Sequence, residues 1–345
     1  MLGFLFYLPN TLTKYLDAEN ERIKIYFLRA FPITYGRVCM KINYAEQLFT
    51  TDDNIDIHYR SWLPENPKAI LQVAHGMAEH SGRYKHFAEF MASNGYGVYA
   101  SDHRGHGQTA KTPDRLGHLA DTDGWKKAIN DMHQLTTIIK ENEGNTPIFL
   151  LGHSMGSLLA RAYTYTYYNE INGLIISGTS GNQGLLGDIG LWIARRQKKQ
   201  QASKLMDWLL FGVYDIQSIF KNCTLKKFSW ISRDREIVEA YKNDDFCSFI
   251  CTGQFYVDLL GGVLIANNRE NLTSLPADFP ILICSGDRDP VGNYGKGVKQ
   301  VYNDMLAAGL RDVTCKLYKG GRHEMLNEIN RESVYTDILQ WLNNK

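Results

Sequence analysis

An apolar run that leads directly into a Gly-x-Ser-x-Gly pattern constrains the fold of this chain more than any other feature. Residues 148–151 fit a fully buried parallel strand, and Gly152-His-Ser-Met-Gly156 follows at once. The apolar residues after this pattern predict a helix. A strand, a sharp turn and a helix would expose Ser154 above the sheet, and the flanking glycines would let neighbouring backbone approach it closely. The pattern alone arises by chance in about one chain in ten of this length, so its place between strand and helix carries the argument.

Strands and helices alternate along most of the chain. Apolar or alternating runs predict strands at 44–49, 55–62, 69–74, 97–101, 148–151, 173–177, 280–284 and 313–318. Helical spacing predicts helices at 86–94, 125–141 and 333–342. This alternation implies right-handed crossovers and a mostly parallel central sheet flanked by helices. The fold class is therefore predicted to be α/β, in a domain over 40–345.

The alternation stops for about a hundred residues after Ser180. Amphipathic segments at 185–194, 205–213 and 255–265 predict helices, with no strand between them. An insertion that lies above the carboxyl ends of the sheet strands is typical of a lid over a site. We therefore predict an inserted helical cap over about 181–272.

Residues 1–39 show no clear pattern apart from a predicted helix over 15–29. The first residues are apolar but stop at Pro9, without the basic segment and cleavage site of a signal peptide. Two interpretations stay open. Either the working protein begins at Met40 and 1–39 are an extension before it, or they form a helical arm that packs on the surface.

Composition excludes some classes of protein. Of the 345 residues, 44% are hydrophobic and 22% are charged, as in ordinary globular proteins, and the formal net charge of +1 does not favour a nucleic-acid partner. The six cysteines lack metal-ligand spacing apart from Cys247-x-x-x-Cys251, which has no second pair. Cys284 and Cys315 lie in predicted buried strands. We expect reduced thiols, no metal or organic cofactor, and a cytoplasmic location.

Ser154 would need a base, because a serine hydroxyl is a poor nucleophile at neutral pH, and the base needs an acid to orient it. In hydrolases with this turn the chain order is Ser, acid, His, and His323 is the single histidine after Ser154. Two aspartates follow the strand at 280–284. We favour Asp287 as the acid because it lies nearer the strand end, and Asp289, which precedes a proline, remains the alternative.

A tetrahedral intermediate would also need backbone N–H donors for its oxyanion. The residue after the serine, Met155, offers one such donor. The loop after the strand at 69–74 offers the other, where Met77 follows His75 and Gly76.

Four motifs together resemble one group of enzymes. They are His75-Gly-Met-Ala-Glu-His-Ser-Gly-Arg-Tyr84, Asp102-His-Arg-Gly-His-Gly-Gln108, Gly152-His-Ser-Met-Gly156 and Gly320-Gly-Arg-His323. In this order they resemble the monoacylglycerol lipase and lysophospholipase group of the α/β-hydrolases, also labelled serine-aminopeptidase-like, over about 40–345. The resemblance implies nucleophile Ser154, acid Asp287, base His323 and oxyanion amides from Met77 and Met155. It also implies an ester with a long acyl chain that enters under a mobile cap.

Two departures from that group bear on the site and the substrate. Its acid loop usually has a glycine three residues before the aspartate, whereas here Cys284 holds that position relative to Asp287 and a glycine stands at 286. The cap, moreover, is the part that varies most in the group, so the substrate does not carry over.

Other signals keep alternatives open. The histidines His75, His80, His103 and His106 lack the spacing of a zinc site, and we expect them to hydrogen-bond loops. A basic run in the cap, flanked by leucines and tryptophans, is either a membrane-contacting face or a solvated helix surface. It consists of Arg195, Arg196, Lys198, Lys199 and Lys204. The cap aromatics Trp192, Trp208, Phe211 and Phe255 either line an acyl pocket or simply pack.

The sequence thus predicts a serine hydrolase of carboxylic esters, most of all of monoacylglycerol or lysophospholipid lipids, which works through an acyl-enzyme on Ser154. An aminopeptidase with the same triad is the nearest rival. It would use acidic cap residues to bind an amino terminus, and the candidates are Glu236, Glu239, Asp244 and Asp245. An acyltransferase or perhydrolase and a non-catalytic binding protein are the remaining alternatives.

Overall fold

The computed structural model describes residues 29–31, 41–216 and 227–345, the first of these by its backbone alone. The strands are β1 (Arg29–Phe31), β2 (Ile42–Thr50), β3 (Asp56–Leu63), β4 (Ala69–Ala74), β5 (Tyr96–Ser101), β6 (Ile148–His153), β7 (Gly173–Ser177), β8 (Ile281–Gly286) and β9 (Val313–Tyr318). The helices are α1 (Lys85–Ser93), α2 (Gly107–Ala110), α3 (Gly124–Glu143), α4 (Met155–Tyr167), α5 (Gly184–Ala194), α6 (Lys204–Asp207), α7 (Arg235–Asn243), α8 (Gly253–Ala266), α9 (Arg269–Leu272), α10 (Lys296–Ala307) and α11 (Arg331–Leu342).

These strands form one sheet in the order β1-β2-β3-β5-β4-β6-β7-β8-β9. The pairs from β1 to β3, and the pair of β3 with β5, are antiparallel, and every pair from β5 through β4 to β9 is parallel. Strands β4 to β8 are buried along their whole length, which explains their unbroken apolar runs. The predicted α/β fold with a mostly parallel sheet is confirmed.

The edge strand β9 differs from the prediction of a buried strand. Its residues alternate between half-buried and exposed up to the buried Tyr318, because β9 pairs on one side alone within the described residues. Cys315 is therefore half-buried, whereas Cys284 in β8 is buried. The cysteines that the structure describes are all free thiols, and they are Cys247, Cys251, Cys284 and Cys315.

Helices cover both faces of the sheet. On one face, buried side chains of α3, α4 and α8 pack against β4, β6 and β7. On the other face, α1 and α11 pack on the same central strands. The carboxyl ends of the parallel strands therefore emerge between two helical layers, where loops can carry a site.

Between β7 and β8 the described residues form helices and no strand of the sheet, as predicted for the cap. Helix α8 belongs to this insertion yet is largely buried against α3 and α4. Arg161 of α4 ties down both connections of the insertion. Its guanidinium donates to the carbonyl oxygen of Ser180 (3.3 Å) and to that of Ala266 (2.5 Å). We keep the name cap for the insertion of about 181–272.

The two interpretations of residues 1–39 remain predictions. Apart from β1, which pairs with β2 through Ala30 and Asn43, this stretch and its predicted helix over 15–29 lie outside the described residues.

A pair of helical glycines tests how closely α4 approaches the sheet. A Cβ on Gly156 would collide with the backbone carbonyl of Ala74, whereas a Cβ on Gly261 in α8 would meet open space. We expect Gly156→Ala to lower the free energy of unfolding by about 2–3 kcal/mol through overpacking. The control Gly261→Ala should raise it by about 0.5–1 kcal/mol. Urea unfolding followed by circular dichroism measures both, and equal stabilities would contradict the close approach.

Candidate active site

Ser154 lies on the turn between β6 and α4. Its backbone has φ 53° and ψ −120°, a conformation that costs free energy for any residue other than glycine. This turn lies close against the sheet. The Ser154 N–H donates to the Ser177 carbonyl oxygen at 2.9 Å. Gly152 lies so near the Gly156 carbonyl that a Cβ on Gly152 would collide with it. The backbone angles agree with the predicted strained turn, and Ser154 is half-buried on it.

His323 lies in the loop after β9 (residues 319–324, the β9 loop). Its Nδ1 is 3.0 Å from the Asp289 Oδ2, and its backbone N–H donates to the Trp230 carbonyl oxygen at 3.2 Å. The Trp230 ring packs beside the imidazole at 5.2 Å between centroids, and the His153 ring packs at 4.7 Å. With Nδ1 against a carboxylate, Nε2 is the nitrogen that is left to exchange a proton with another group.

The structure contradicts the choice of Asp287 as the partner of His323. The Asp287 Oδ1 accepts a hydrogen bond from the Gly320 backbone N–H at 2.7 Å, so this residue braces the β9 loop. Asp289 instead is fully buried, and its Oδ1 accepts from the Val291 N–H at 2.9 Å while Oδ2 faces His323. Strand β8 runs to Gly286, two residues beyond its predicted end, and the turn after it carries Asp289 to the histidine.

A signal for Asp289 was present in the sequence. The resembling group has a glycine three residues before the acid, and Gly286 stands three residues before Asp289. The structure gives this glycine a steric reason, since a Cβ there would collide with the Gly321 carbonyl of the β9 loop. With Asp289 as the acid, the spacing from glycine to acid is the one usual in that group, and the departure noted for Asp287 no longer applies.

Burial and charge act in opposite directions on His323. Burial disfavours the imidazolium and lowers the pKa, but the negative charge of Asp289 and its hydrogen bond, with smaller contributions from Glu324 and Glu79, outweigh burial. The pKa of His323 is therefore raised above the ordinary value for histidine. This environment stabilises the positive charge that a general base acquires.

Met77 and Met155, whose amides the sequence predicts as oxyanion donors, line the same cavity as Ser154. Met155 is the first residue of α4, where helix geometry leaves the N–H without an intrahelical acceptor. Met77 lies in the loop after β4 (residues 75–80, the β4 loop), and no hydrogen bond among the described residues occupies its N–H. A Cβ on Gly76 would lie 3.2 Å from the Ser154 Cβ, so the two turns pack closely.

A largely buried arginine joins the β4 loop to the β9 loop. The Glu79 carboxylate accepts hydrogen bonds from the Gly76 N–H (2.5 Å) and the Tyr84 hydroxyl (2.9 Å). The Arg83 guanidinium donates to Glu79 at 2.6 Å and makes two bonds of 2.6 Å to Glu324, the residue after His323. Both carboxylates are buried, so one cation balances two anions. Nothing in the sequence motif of residues 75–84 indicated this role, although Glu79 and Arg83 both stand in it.

Two cavities meet at Ser154. The smaller one, of about 140 Å³, has a mixed lining, in which Glu79, Asp207, His323 and Glu324 stand beside apolar and aromatic side chains. The larger one, of about 470 Å³, is lined mostly by apolar cap and core side chains, among them Leu158, Ile193, Leu210, Leu259 and Val263. Met77, Ser154 and Phe211 line both cavities. Ser154 therefore faces a space with charged groups in its lining on one side and a mostly apolar space on the other.

Three other histidines, His75, His103 and His106, contact one another in the interior. His75 accepts a hydrogen bond at Nε2 from the His103 N–H (2.9 Å), and its ring packs against those of His103 and His106. Burial lowers the pKa of His75 to about 3 and that of His106 to about 4, so both are neutral near pH 7. Phe255, predicted to line a pocket or to pack, is buried beside His106.

Within the described residues, one group has metal-ligand spacing, and it comprises His80, Asp244 and Cys247. The hydrogen bonds of His80 already occupy both of its ring nitrogens, which does not fit a metal site. His80 Nδ1 accepts from the Gly82 N–H at 3.2 Å, so Nε2 carries the proton and donates to Asp244 at 3.0 Å. Burial also raises the pKa of the Cys247 thiol, which disfavours the thiolate that a metal needs.

The acidic cap residues considered for an aminopeptidase do not line either cavity at Ser154. Glu236, Glu239 and Asp245 are exposed, and Asp244 pairs with His80.

The fold and the site define an α/β-hydrolase. The chain belongs to the family described as serine aminopeptidase, S33, whose model matches residues 65–330. It is 28% identical to a monoacylglycerol lipase of Mycolicibacterium smegmatis, over 86% of this chain and 96% of the relative. It is also 28% identical to the monoglyceride lipase of Mus musculus, over 83% of this chain and 86% of the relative. Among solved structures, a thermostable carboxyl esterase from Bacillus coagulans in complex with glycerol is 31% identical, with a TM-score of 0.80, over 87% of this chain and 98% of that chain.

The titration of His323 distinguishes the two aspartates. In the wild-type protein, we expect a pKa above 6.5 for His323, because the Asp289 carboxylate stabilises the imidazolium. Asp289→Asn should lower this pKa below 6.5, because burial then dominates, and the matched Asp287→Asn should leave it nearly unchanged. NMR of ¹⁵N-labelled histidine measures the pKa. A drop in the Asp287 variant alone would restore the original assignment.

Proposed function

We propose that this protein hydrolyses carboxylic esters through an acyl-enzyme on Ser154, with His323 as base, Asp289 as its acid partner, and the amides of Met77 and Met155 as oxyanion donors. The single observation that carries the proposal is the position of Ser154 between a small cavity with charged groups in its lining, which His323 also lines, and a larger apolar cavity. Such a junction suits a substrate with a polar alcohol on one side of the ester and a hydrocarbon chain on the other.

The apolar cavity is the acyl side of the site. Its lining combines helices α4, α5 and α8 with residues 206–214 of the cap, so the cap supplies much of the surface that a chain would contact. A volume of about 470 Å³ falls within the usual range for small-molecule sites. Each buried methylene adds about 0.8 kcal/mol to binding, so a long acyl chain gains more from this cavity than a short one does.

The smaller cavity is the alcohol side of the site. Carboxylates line it next to His323, together with aromatic side chains that include Tyr241 and Trp230. Hydrogen-bond acceptors there suit an alcohol with further hydroxyl groups, such as glycerol or a glycerol-based headgroup. Together the two cavities favour monoacylglycerols or lysophospholipids as substrates. The names of the relatives, monoacylglycerol lipase and monoglyceride lipase, agree with this choice.

The reaction proceeds in two steps. Ser154 Oγ attacks the acyl carbonyl carbon while His323 Nε2 takes its proton, and the two amides donate to the developing oxyanion. The carbon–oxygen bond to the alcohol then breaks, and the imidazolium returns the proton to the leaving alkoxide. In the second step a water molecule gives a proton to His323 and attacks the acyl carbon. The bond from this carbon to Ser154 Oγ then breaks, His323 returns the proton to Oγ, and the fatty acid leaves.

Turnover of a substrate panel tests the proposal. We expect ester hydrolysis that rises with pH through a pKa above 6.5, because His323 must be neutral to act as a base. Asp289→Asn should lower kcat by about 10³–10⁴-fold and Ser154→Ala by at least as much, whereas Asp287→Asn should change it little. The panel comprises p-nitrophenyl esters, monoacylglycerols, lysophospholipids and aminoacyl amides. Faster cleavage of the amides would favour an aminopeptidase, and turnover by a folded Ser154→Ala variant would refute the proposed nucleophile.

We also propose that the cap contacts an anionic membrane surface from the periphery. Helix α5 exposes Leu185, Leu186, Ile189 and Trp192, and Leu186 and Ile189 also line the apolar cavity. The basic run of the cap begins at the end of this helix, where the Arg196 guanidinium stacks on the Trp192 ring at 3.4 Å. An apolar face beside basic side chains suits a lipid interface. No helix in the described part of the chain has the length and apolar character that a membrane span requires.

Vesicle cosedimentation tests this contact. Binding to phosphatidylcholine vesicles that contain phosphatidylglycerol should exceed binding to phosphatidylcholine alone, and salt should weaken it. Leu185→Ser should reduce binding to both vesicles, because this side chain is 74% exposed. Leu306→Ser, in α10 outside the cap, is the matched control for an exposed leucine. No binding to either vesicle, or equal losses in the two variants, would exclude the cap as the contact surface.

A further inference from the structure

The end of the cap helix α7 and the residues after it lie directly on the β4 loop. Three contacts join them. The Arg83 guanidinium, just beyond the β4 loop, lies 4.9 Å from the centroid of the Tyr241 ring. His80 Nε2 is 3.0 Å from Asp244 Oδ2, and the Ser248 N–H donates to the Ala78 carbonyl oxygen at 3.0 Å. We call residues 244–248 the clamp segment.

His80 is fixed in orientation by its own loop. Its Nδ1 accepts the Gly82 N–H at the start of the short helical turn Ser81–Tyr84, which leaves the protonated Nε2 as a donor to the cap. His80 stands three residues after Met77, whose N–H is a proposed oxyanion donor. A bond to this ring therefore restrains the same loop that carries that donor.

Asp244 uses its two carboxylate oxygens for different purposes. Oδ1 accepts the Phe246 N–H at 2.8 Å, which shapes the clamp segment, and Oδ2 accepts from His80. The pKa of Asp244 is lowered, since the bond to His80 and the bond to Phe246 outweigh partial burial. An asparagine at 244 would have the same shape but could satisfy only one of the two N–H donors, because its amide has one acceptor oxygen and its NH₂ group would face the other donor.

Backbone strain lies at the point where the clamp segment meets the β4 loop. Ala78 has φ 54° and Ser248 has φ 55°, and both are non-glycine residues in the left-handed region. The hydrogen bond from Ser248 to Ala78 joins these two residues, so each strained turn supports the other. Ala78 is the residue directly after Met77, and a shift of the cap at this point would move the Met77 amide.

We infer that the clamp segment holds the β4 loop in position for oxyanion stabilisation, with Asp244 and His80 as positioning residues of the esterase reaction. The inference rests on the proposed function. It assigns the cap a second role besides lining the acyl cavity, because one part of the insertion sets the geometry of the reaction centre. A donor that is misplaced by about 1 Å stabilises the transition state much less, and the clamp prevents this displacement.

Asp244→Asn, with Asp245→Asn as the matched control at an exposed neighbour, is the test. We expect Asp244→Asn to lower kcat/KM for an ester by about tenfold, mostly through kcat, which is less than the roughly 10²–10³-fold cost of removing an oxyanion donor. The preference for an ester over the matched thionoester, in which sulfur replaces the carbonyl oxygen, should also fall. The pKa seen in the pH profile should stay unchanged, because the bond between His323 and Asp289 is intact.

A double-mutant cycle with His80→Asn checks that the two residues act together. Asparagine at 80 keeps an acceptor for the Gly82 N–H but does not reach Asp244, so adding Asp244→Asn in this background should cost little. Equal kcat values for the Asp244 and Asp245 variants would overturn the inference. A fall in kcat with an unchanged ester-to-thionoester ratio would also overturn it. A wild-type protein that cleaves no ester would instead refute the proposed function itself.

Discussion

The loops that carry the proposed oxyanion donor and base depend on one largely buried cation. Arg83 lies between Glu79 and Glu324, and the removal of its charge would leave two carboxylates unpaired in a region of low dielectric. Breaking such a buried pair costs about 3–5 kcal/mol. Since Glu79 holds the Gly76 amide and Glu324 follows His323, the same interaction aligns the turn before Met77 with the histidine. Stability and the geometry of the site therefore rest on the same contacts.

Much of the fold and the site could be predicted because the relevant signals are local. Buried parallel strands have unbroken apolar runs, and the turn at Ser154 needs glycines on both sides, so both are visible in short stretches of sequence. His323 followed from chain order, as the single histidine after the serine. The acid did not follow, because the choice between Asp287 and Asp289 depends on where β8 ends. Because β8 continues for two residues beyond its predicted end, Asp287 bonds to Gly320 and Asp289 lies beside the histidine.

The contacts of the cap could not be predicted for a different reason. His80 and Asp244 are separated by 164 residues, and no sequence motif contains both of them. The amphipathic segments predicted helices, but which face of each helix meets the core depends on tertiary packing. Thus α8 is as buried as a core helix, whereas α5 exposes a leucine-rich face, although both were predicted from similar hydrophobic runs.

The anchoring of the cap by Arg161 has a consequence for how such an enzyme diversifies. The guanidinium bonds to the backbone carbonyls of Ser180 and Ala266, which every amino acid possesses. The junctions of the insertion are thus largely independent of the side chains between them. Residues that line the apolar cavity can be exchanged during evolution while the insertion stays attached at the same two points, and new substrate preferences can arise without a new attachment to the catalytic domain.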